Sequence, residues 1–372
     1  MKKVLTIGFM FLIIFLISSS GYSQDTTAVT SADSIPENAS AGPTTTPQKS
    51  FSWGEKIDLS LSLQGKKVSG YTEYHIKFPT SVWHWEDTTW VEHTVNGQSV
   101  LAFPVDGYRI EALVNSRLKL SKKLTFIFGL GFSTIISQPN DAMVDSDYVD
   151  LSSLGSFSNW VNGATQSSVS YSNYEFLITA GYPLFSGKPW EVIPIVGYQT
   201  SKNRFDVMGL AGWYNVYGYR ETVDSLYYAG MNVSDYEVTY NRIMTGAQVK
   251  TKDAAKVGFS LKAFYSPWVK ASDYDNHLLR FKESSTEAKG KGYSLEGTIK
   301  VSVYTTRAGS ILSVGGGYSM LRIKATGSQI QKWYGDDPAT DGFDDTGSVS
   351  SPIDNTLKLR QNSFNAFIEY KL

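Results

Sequence analysis

Asp273, Asp275 and His277 stand two residues apart in the run Trp268-Val-Lys-Ala-Ser-Asp-Tyr-Asp-Asn-His277. On a β-strand all three side chains would project from one face, because successive residues alternate sides. A second acidic alternation, Asp145-Ser-Asp147, lies upstream, with Asp150 three residues further on. Carboxylates beside a histidine on rigid strands are suitable parts for activating water. Asp275 would favour the imidazolium form of His277 and orient its ring. Two close carboxylates resist joint ionisation, so Asp145 and Asp147 would share one proton. Acidic walls would also attract basic side chains, more weakly as salt rises.

Strands must position these residues, and the sequence supplies them. Leu295, Gly297, Ile299, Val301 and Val303 alternate with polar neighbours. Phe364, Ala366, Ile368, Tyr370 and Leu372 do the same at the end of the chain, with Phe367 the exception on the second face. Ten such segments are predicted near 57–77, 99–120, 124–137, 168–185, 191–205, 234–250, 256–272, 291–305, 310–330 and 357–372. The linkers fall into two groups. Some are short, near 121–123, 186–189, 250–255 and 306–309; others, near 78–98, 138–167, 206–233, 273–290 and 331–356, are long, aromatic and acidic. Short turns at one end and long loops at the other are the layout of an outer-membrane barrel. An even number of antiparallel strands can close and leave no unpaired edge for lipid to meet. The fold class is therefore all-β, a ten-stranded antiparallel transmembrane β-barrel, and the 23 Tyr, 9 Trp and 19 Phe would furnish its aromatic girdles. A secreted β-sandwich is the bland alternative, and strand length and the short/long alternation speak against it.

The beginning of the chain fits export. Lys2 and Lys3 precede an apolar stretch from Val4 to Ile17, and Gly21-Tyr22-Ser23 offers a small-x-small cleavage site. Residues 1–23 read as a signal peptide, because the apolar run is shorter than the ~20 residues a spanning helix needs. Residues 24–50, rich in Thr, Ser, Ala and Pro, read as a disordered polar leader, and 51–372 as the barrel domain. The chain has no cysteine, which excludes disulfides, thiolate chemistry and a lipoprotein anchor. A net charge of −1 over 372 residues gives no reason to expect nucleic acid as a partner.

Several motifs resemble the omptin family of outer-membrane endopeptidases, which are ten-stranded barrels. Met143-Val-Asp-Ser-Asp-Tyr-Val-Asp150 resembles the family's acidic-pair segment, and Gly155-Ser-Phe-Ser-Asn159 continues it. Trp268-Val-x-x-Ser-Asp-x-Asp-x-His277 resembles the family's Asp–His segment, and Gly197-Tyr-Gln-x-Ser201 a strand of it. The similarity runs from about Ser99 to Leu372. The resemblance implies an aspartic-type endopeptidase of the cell outer membrane that cuts polypeptides after a basic residue. Asp275 and His277 would form the water-activating dyad, with His277 as general base and Asp145 and Asp147 as the opposing pair. Asp273 would form a wall of the pocket for the basic side chain, and Glu73 would match the glutamate of the family's first strand if one residue is deleted. Asn159 stands where the family has an aspartate that helps receive the residue after the cut. Ala102 likewise replaces an acid in the second strand. Tyr198 and Lys202 match positions that bind lipopolysaccharide, while Thr200 replaces an acid there; the lipid partner and a lipopolysaccharide dependence are implied through these residues. No cofactor or metal is implied.

Other features have bland readings. His84 and His93, in and after a Trp-rich stretch, fit no standard metal spacing. Asp336, Asp337, Asp341, Asp344 and Asp345 read as a solvated loop, with a substrate-attracting or calcium-stabilised loop as the functional reading. Gly315-Gly316-Gly317 has no strand-to-helix context for a phosphate loop and reads as a site of close packing. No serine motif accompanies a free histidine, which disfavours serine hydrolysis. The competing function is a barrel without catalysis, an adhesin or small channel.

Overall fold

A computed structural model describes residues 57–86, 88–121, 124–155, 160–186, 189–216, 219–252, 256–307, 309–338, 342 and 344–372. The signal peptide, the leader, Asn159 and Asp341 lie outside the described residues. Fourteen strands follow one another: β1 (Ile57–Glu86), β2 (Thr89–Pro104), β3 (Gly107–Lys119), β4 (Thr125–Ile135), β5 (Met143–Asp150), β6 (Trp160–Gly181), β7 (Phe185–Ser186), β8 (Trp190–Val216), β9 (Tyr219–Thr222), β10 (Asn232–Thr251), β11 (Val257–His277), β12 (Lys282–Thr305), β13 (Ile311–Trp333) and β14 (Ile353–Lys371). They form a single antiparallel sheet closed into a ring of ten staves.

Closure runs through β1, which pairs β14 from Ser60 to Lys77 along one side. Along its other side it pairs β3 from Ile57 to Val68 and β2 from Tyr71 to Glu86. β2 and β3 are thus one stave broken at Val105 and Asp106, and β4 and β5 make another. The short β7 and β9 only flank β8. Gly70 marks the place where β1 changes partner. Its φ is +146°, and a Cβ there would collide with the carbonyl of Arg360. A residue without a side chain is required.

The period-2 pattern sorts side chains to two faces. Outward, Leu63, Leu130, Phe132, Ile178, Phe259, Leu261, Ile299, Val301 and Ile368 form an apolar band, joined by Tyr174, Tyr198, Tyr265, Tyr293 and Tyr318. A lipid-facing band with aromatic residues is what a bilayer demands; on β11 it ends at Trp268. Inward, the lower barrel is filled by ion pairs: Arg117–Glu191 at 2.5 Å, Lys262–Glu296 at 3.1 Å and Arg109–Glu175 at 2.5 Å. Phe367, which breaks the polar alternation of its face, also points inward, and its ring lies on Gly315 where a Cβ would clash. The glycine run is a packing site.

All ten predicted segments are staves, but they are longer than predicted. The supposed loop 78–98 is a hairpin of β1 and β2, and 273–290 is β11 and β12 joined by a tight turn at Leu278–Phe281. Much of 138–167 and 206–233 is also strand. Above the bilayer both faces of a strand meet water or a polar cleft, so the apolar alternation disappears while the backbone ladder continues. Of the five, 331–356 keeps, among the described residues, the longest stretch without strand, between β13 and β14.

Candidate active site

The site sits on a layer of aromatic rings that closes the barrel beneath it. Phe103 stacks on Tyr236 at 4.1 Å between centroids, and Tyr171 on Phe205 at 4.7 Å. Tyr74 leans on Tyr236 at 5.4 Å, and Phe103 meets Phe205 at 5.1 Å. All five rings are buried. Large aromatic side chains from staves on opposite sides meet in the interior because the barrel is narrow.

Above this floor, β11 carries Asp275 and His277 on its inward face, as their spacing predicts. The Asp275 Oδ2 lies 2.8 Å from His277 Nε2. Tyr74 donates its hydroxyl to the same oxygen at 2.6 Å, and Ser234 donates to Oδ1 at 2.6 Å. Asp275 is wholly buried. Burial opposes its ionisation, but His277, Ser234 and Tyr74 outweigh that and hold its carboxyl below the usual carboxylate range. The dyad is therefore a carboxylate fixed from three sides against a ring that is partly open to the cavity.

Asp145 and Asp147 stand on β5, beside β2, where Ser99 donates to Asp145 Oδ1 at 3.2 Å. Neither carboxylate has an ion pair among the described residues. Burial, and then the charge of Asp147, push the Asp145 carboxyl up to about 8. Asp147 is raised as well, chiefly by burial. Both lie half-buried on one face of β5, and like charges so placed resist joint ionisation.

Both groups open onto a cavity of about 740 Å³, lined by Asp145, Asp147, Tyr74, Ser234 and His277. β5 and β11 are four staves apart in the ring of ten, so the pair and the dyad come from nearly opposite walls. Tyr74, on a third wall, reaches toward the dyad.

The remaining sequence-predicted residues lie elsewhere. Glu73 faces outward: it contacts His75 Nε2 at 2.9 Å, with Lys358 at 3.8 Å. Strand alternation puts Tyr74, not Glu73, at the inward position, so the alignment that deletes one residue places the glutamate on the wrong face. Ala102, between the buried Leu101 and Phe103, is also directed away from the interior. Asp273 faces inward but lies below the cavity, where Tyr236 donates to its Oδ2 at 3.4 Å and Oδ1 is sealed from solvent. Burial pushes its carboxyl up to about 7. Tyr198 and Lys202 are on the outer wall, bonded to Asn241 and paired with Glu237 respectively.

Four groups at the site are absent from the sequence reading. Tyr74, Ser234 and Ser99 reach it through strand pairing, and nothing in their local sequence marks them. Lys282 also faces the cavity, as the ladder partner of His277. It is buried, with its ammonium 5.8 Å from the ring of Trp333. Burial, and then the charge of Arg280, draw its ammonium down to about 8. Arg280 itself is spent on the buried Asp337, with Nη2 to Oδ2 at 2.7 Å.

The omptin family model matches residues 108–347 of this chain. Among solved structures, the outer membrane protease OmpT from Escherichia coli shares 18% identity at a TM-score of 0.58, covering 87% of this chain and 99% of that one. A Pseudomonas aeruginosa FadL homologue covers 85% of this chain and 90% of its own at 8% identity. Its TM-score of 0.25 is too low to establish a shared fold. No curated protein sequence matches the chain.

Proposed function

This chain belongs to the omptin family of outer-membrane β-barrels, and on that premise we propose that it is a protease whose rim cavity hydrolyses peptide bonds. One observation carries the reading: a carboxylate pair and an Asp–His dyad open from nearly opposite walls onto the same cavity. A water between them is polarised from both sides.

In the proposed reaction His277 removes a proton from that water as its oxygen attacks the scissile carbonyl carbon. Asp275 steadies the imidazolium that forms, and Tyr74 and Ser234 keep Asp275 in place. The proton between Asp145 and Asp147 hydrogen-bonds the oxyanion as it develops. His277 then passes its proton to the leaving amine as the C–N bond breaks. The elements of water end up on the two new termini, and no acyl-enzyme forms.

The basic residue before the cut is the preference the resemblance implies. The carboxylates expected to supply it, Glu73 and Asp273, do not line the cavity. The test of function is cleavage of quenched peptides by the refolded barrel, with His277→Ala as control. Loss of cutting in a variant that keeps heat-modifiable folding supports the dyad. A correctly folded wild-type barrel that cuts no peptide sinks the proposal and favours an adhesin.

A further inference from the structure

The outer wall of β13 and β14 carries charges that the proposed reaction does not use. On their outward faces Arg322 is the ladder partner of Arg360, and Lys324 that of Lys358. Side chains so placed have Cβ atoms about 4.5–5.5 Å apart, and like charges directly opposite repel. The four cations form a square, and both Lys324 and Arg360 act on the Lys358 ammonium as like charges.

The acid beside the square is Glu73 on β1, 3.8 Å from Lys358 Nζ. It also contacts His75 and is felt by Arg360, so one carboxylate is divided among several cations. Lys324 and Arg360 are exposed and form no ion pair among the described residues. The Arg322 guanidinium is fixed by neutral oxygens. Its Nη1 donates to the carbonyls of Leu321 and Gln361, each at 2.8 Å, and its Nη2 to Asn362 Oδ1 at 2.9 Å. That charge is aimed without being cancelled.

The height of the square on the wall identifies what would cancel it. Just below, on the same faces, stand the exposed ladder partners Tyr318 and Phe364, with ring centroids 5.1 Å apart. Tyr318 donates to the same Asn362 Oδ1 at 3.1 Å, which ties the ring to Arg322. Exposed aromatic rings at the end of an apolar band mark headgroup level, where lipid phosphates lie. Guanidinium and ammonium groups bind phosphate with charge-assisted hydrogen bonds. The two rings offer acyl chains an apolar surface directly beneath the charges, which a free anion would not use.

We propose that Arg322, Lys324, Lys358 and Arg360 bind the phosphate groups of an outer-leaflet lipid whose acyl chains lie against Tyr318 and Phe364. The site is distinct from the wall of Tyr198 and Lys202, because β14 stands five staves from β8 in the ring of ten. It does not depend on the protease reading.

The experiment uses the refolded full chain in neutral detergent, with Lys202→Ala as the parent to weaken any binding on the opposite wall. Lipid A is the probe, and native mass spectrometry follows the lipid-bound fraction as its concentration rises. Adding Lys324→Gln and Arg360→Gln removes two exposed charges, and heat-modifiable folding should persist. Lipid A binding should weaken about tenfold or more. Lipid A stripped of its phosphates should bind the parent about as poorly, and added salt should weaken binding of the intact lipid. Unchanged binding in the charge-removed variant overturns the inference. Equal binding of the stripped lipid overturns it too, and that comparison needs no new variant should the substitutions prevent folding. Displacement of lipid A by an equal concentration of inorganic phosphate would overturn the lipid assignment and leave a simple anion site.

Discussion

In the lower barrel, Arg117 meets Glu191 at 2.5 Å and Lys262 meets Glu296 at 3.1 Å, and Arg109 and Glu175 do the same just below the aromatic floor. At the rim, Asp145 and Asp147 share one half-buried corner with no ion pair, and Lys282 is buried facing the cavity without one, among the described residues. The same side-chain types therefore serve two ends. Opposite charges that neutralise one another fill the interior at the level of the bilayer. Like charges forced together keep a proton out of its ordinary range, and that makes a group reactive. The rim tolerates this because it is above the apolar band and because Tyr74 and Ser234 fix the dyad.

The sharpest way to break this comparison is to truncate one residue from each region. His277→Ala should lower kcat/KM by about 10²–10⁴-fold, the usual worth of a positioned general base. It should leave unfolding unchanged, because the ring is partly exposed. Glu175→Gln should do the reverse: Arg109, 2% exposed, would keep an uncompensated charge, at a cost of about 3–5 kcal/mol in stability. Cleavage by the fraction still folded should be near wild type. Peptide kinetics and urea unfolding, run on both variants, measure the two effects. A Glu175→Gln barrel that unfolds as wild type would remove the structural half of the contrast.

How much of this was readable beforehand follows the same division. Asp275 and His277 are visible because two positions on one strand share a face, and Asp145 and Asp147 for the same reason. Tyr74 is not, since it reaches Asp275 from 201 residues away through ring closure. Glu73 is placed on the wrong face because a shift of one residue reverses a strand. Lys282 is hidden for a different reason. It lies in a segment read as loop, where strand continues after the alternation that signals it has faded. The lower halves of the staves, with lipid on one side, keep that alternation and are found.

Tyr74→Phe tests whether the dyad depends on its support. It removes one hydrogen bond to a buried carboxylate and little volume. The expected loss is about 10–100-fold in kcat with KM unchanged, corresponding to a hydrogen bond to a charged group. An unchanged kcat would mean that Ser234 alone holds Asp275.

The raised carboxyl of Asp145 gives a pH signature that the neutralised pairs below lack. Asp145 is raised to about 8, so the pair keeps its proton below that pH and loses it above. Cleavage should therefore fall as pH rises through about 8. In Asp147→Asn the residual activity should fall at lower pH, because the charge that helps raise Asp145 is gone. In Lys282→Met it should fall at higher pH, because the ammonium favours the ionised form of Asp145. A pH profile identical in all three proteins would mean that the alkaline limb belongs to another group.

The smallest effect belongs to the outer wall, where charges are neither buried nor forced together. Lys202, on the stave that carries Tyr198, and Glu237, on the next, form an ion pair about one-third exposed on each side. Such pairs contribute about 0–1 kcal/mol. Lys202→Ala should therefore shift unfolding by less than ~1 kcal/mol and leave cleavage in detergent unchanged. On the family resemblance we propose Tyr198 and Lys202 as lipid contacts on this wall. If lipopolysaccharide phosphates use the ammonium, any gain in cleavage on adding lipopolysaccharide should be smaller in the variant. A gain equal to that of the wild type would show that lipid acts elsewhere on the barrel. A loss of cleavage in detergent alone would show instead that the outer wall and the rim are coupled, and the separation between the two regions would not hold.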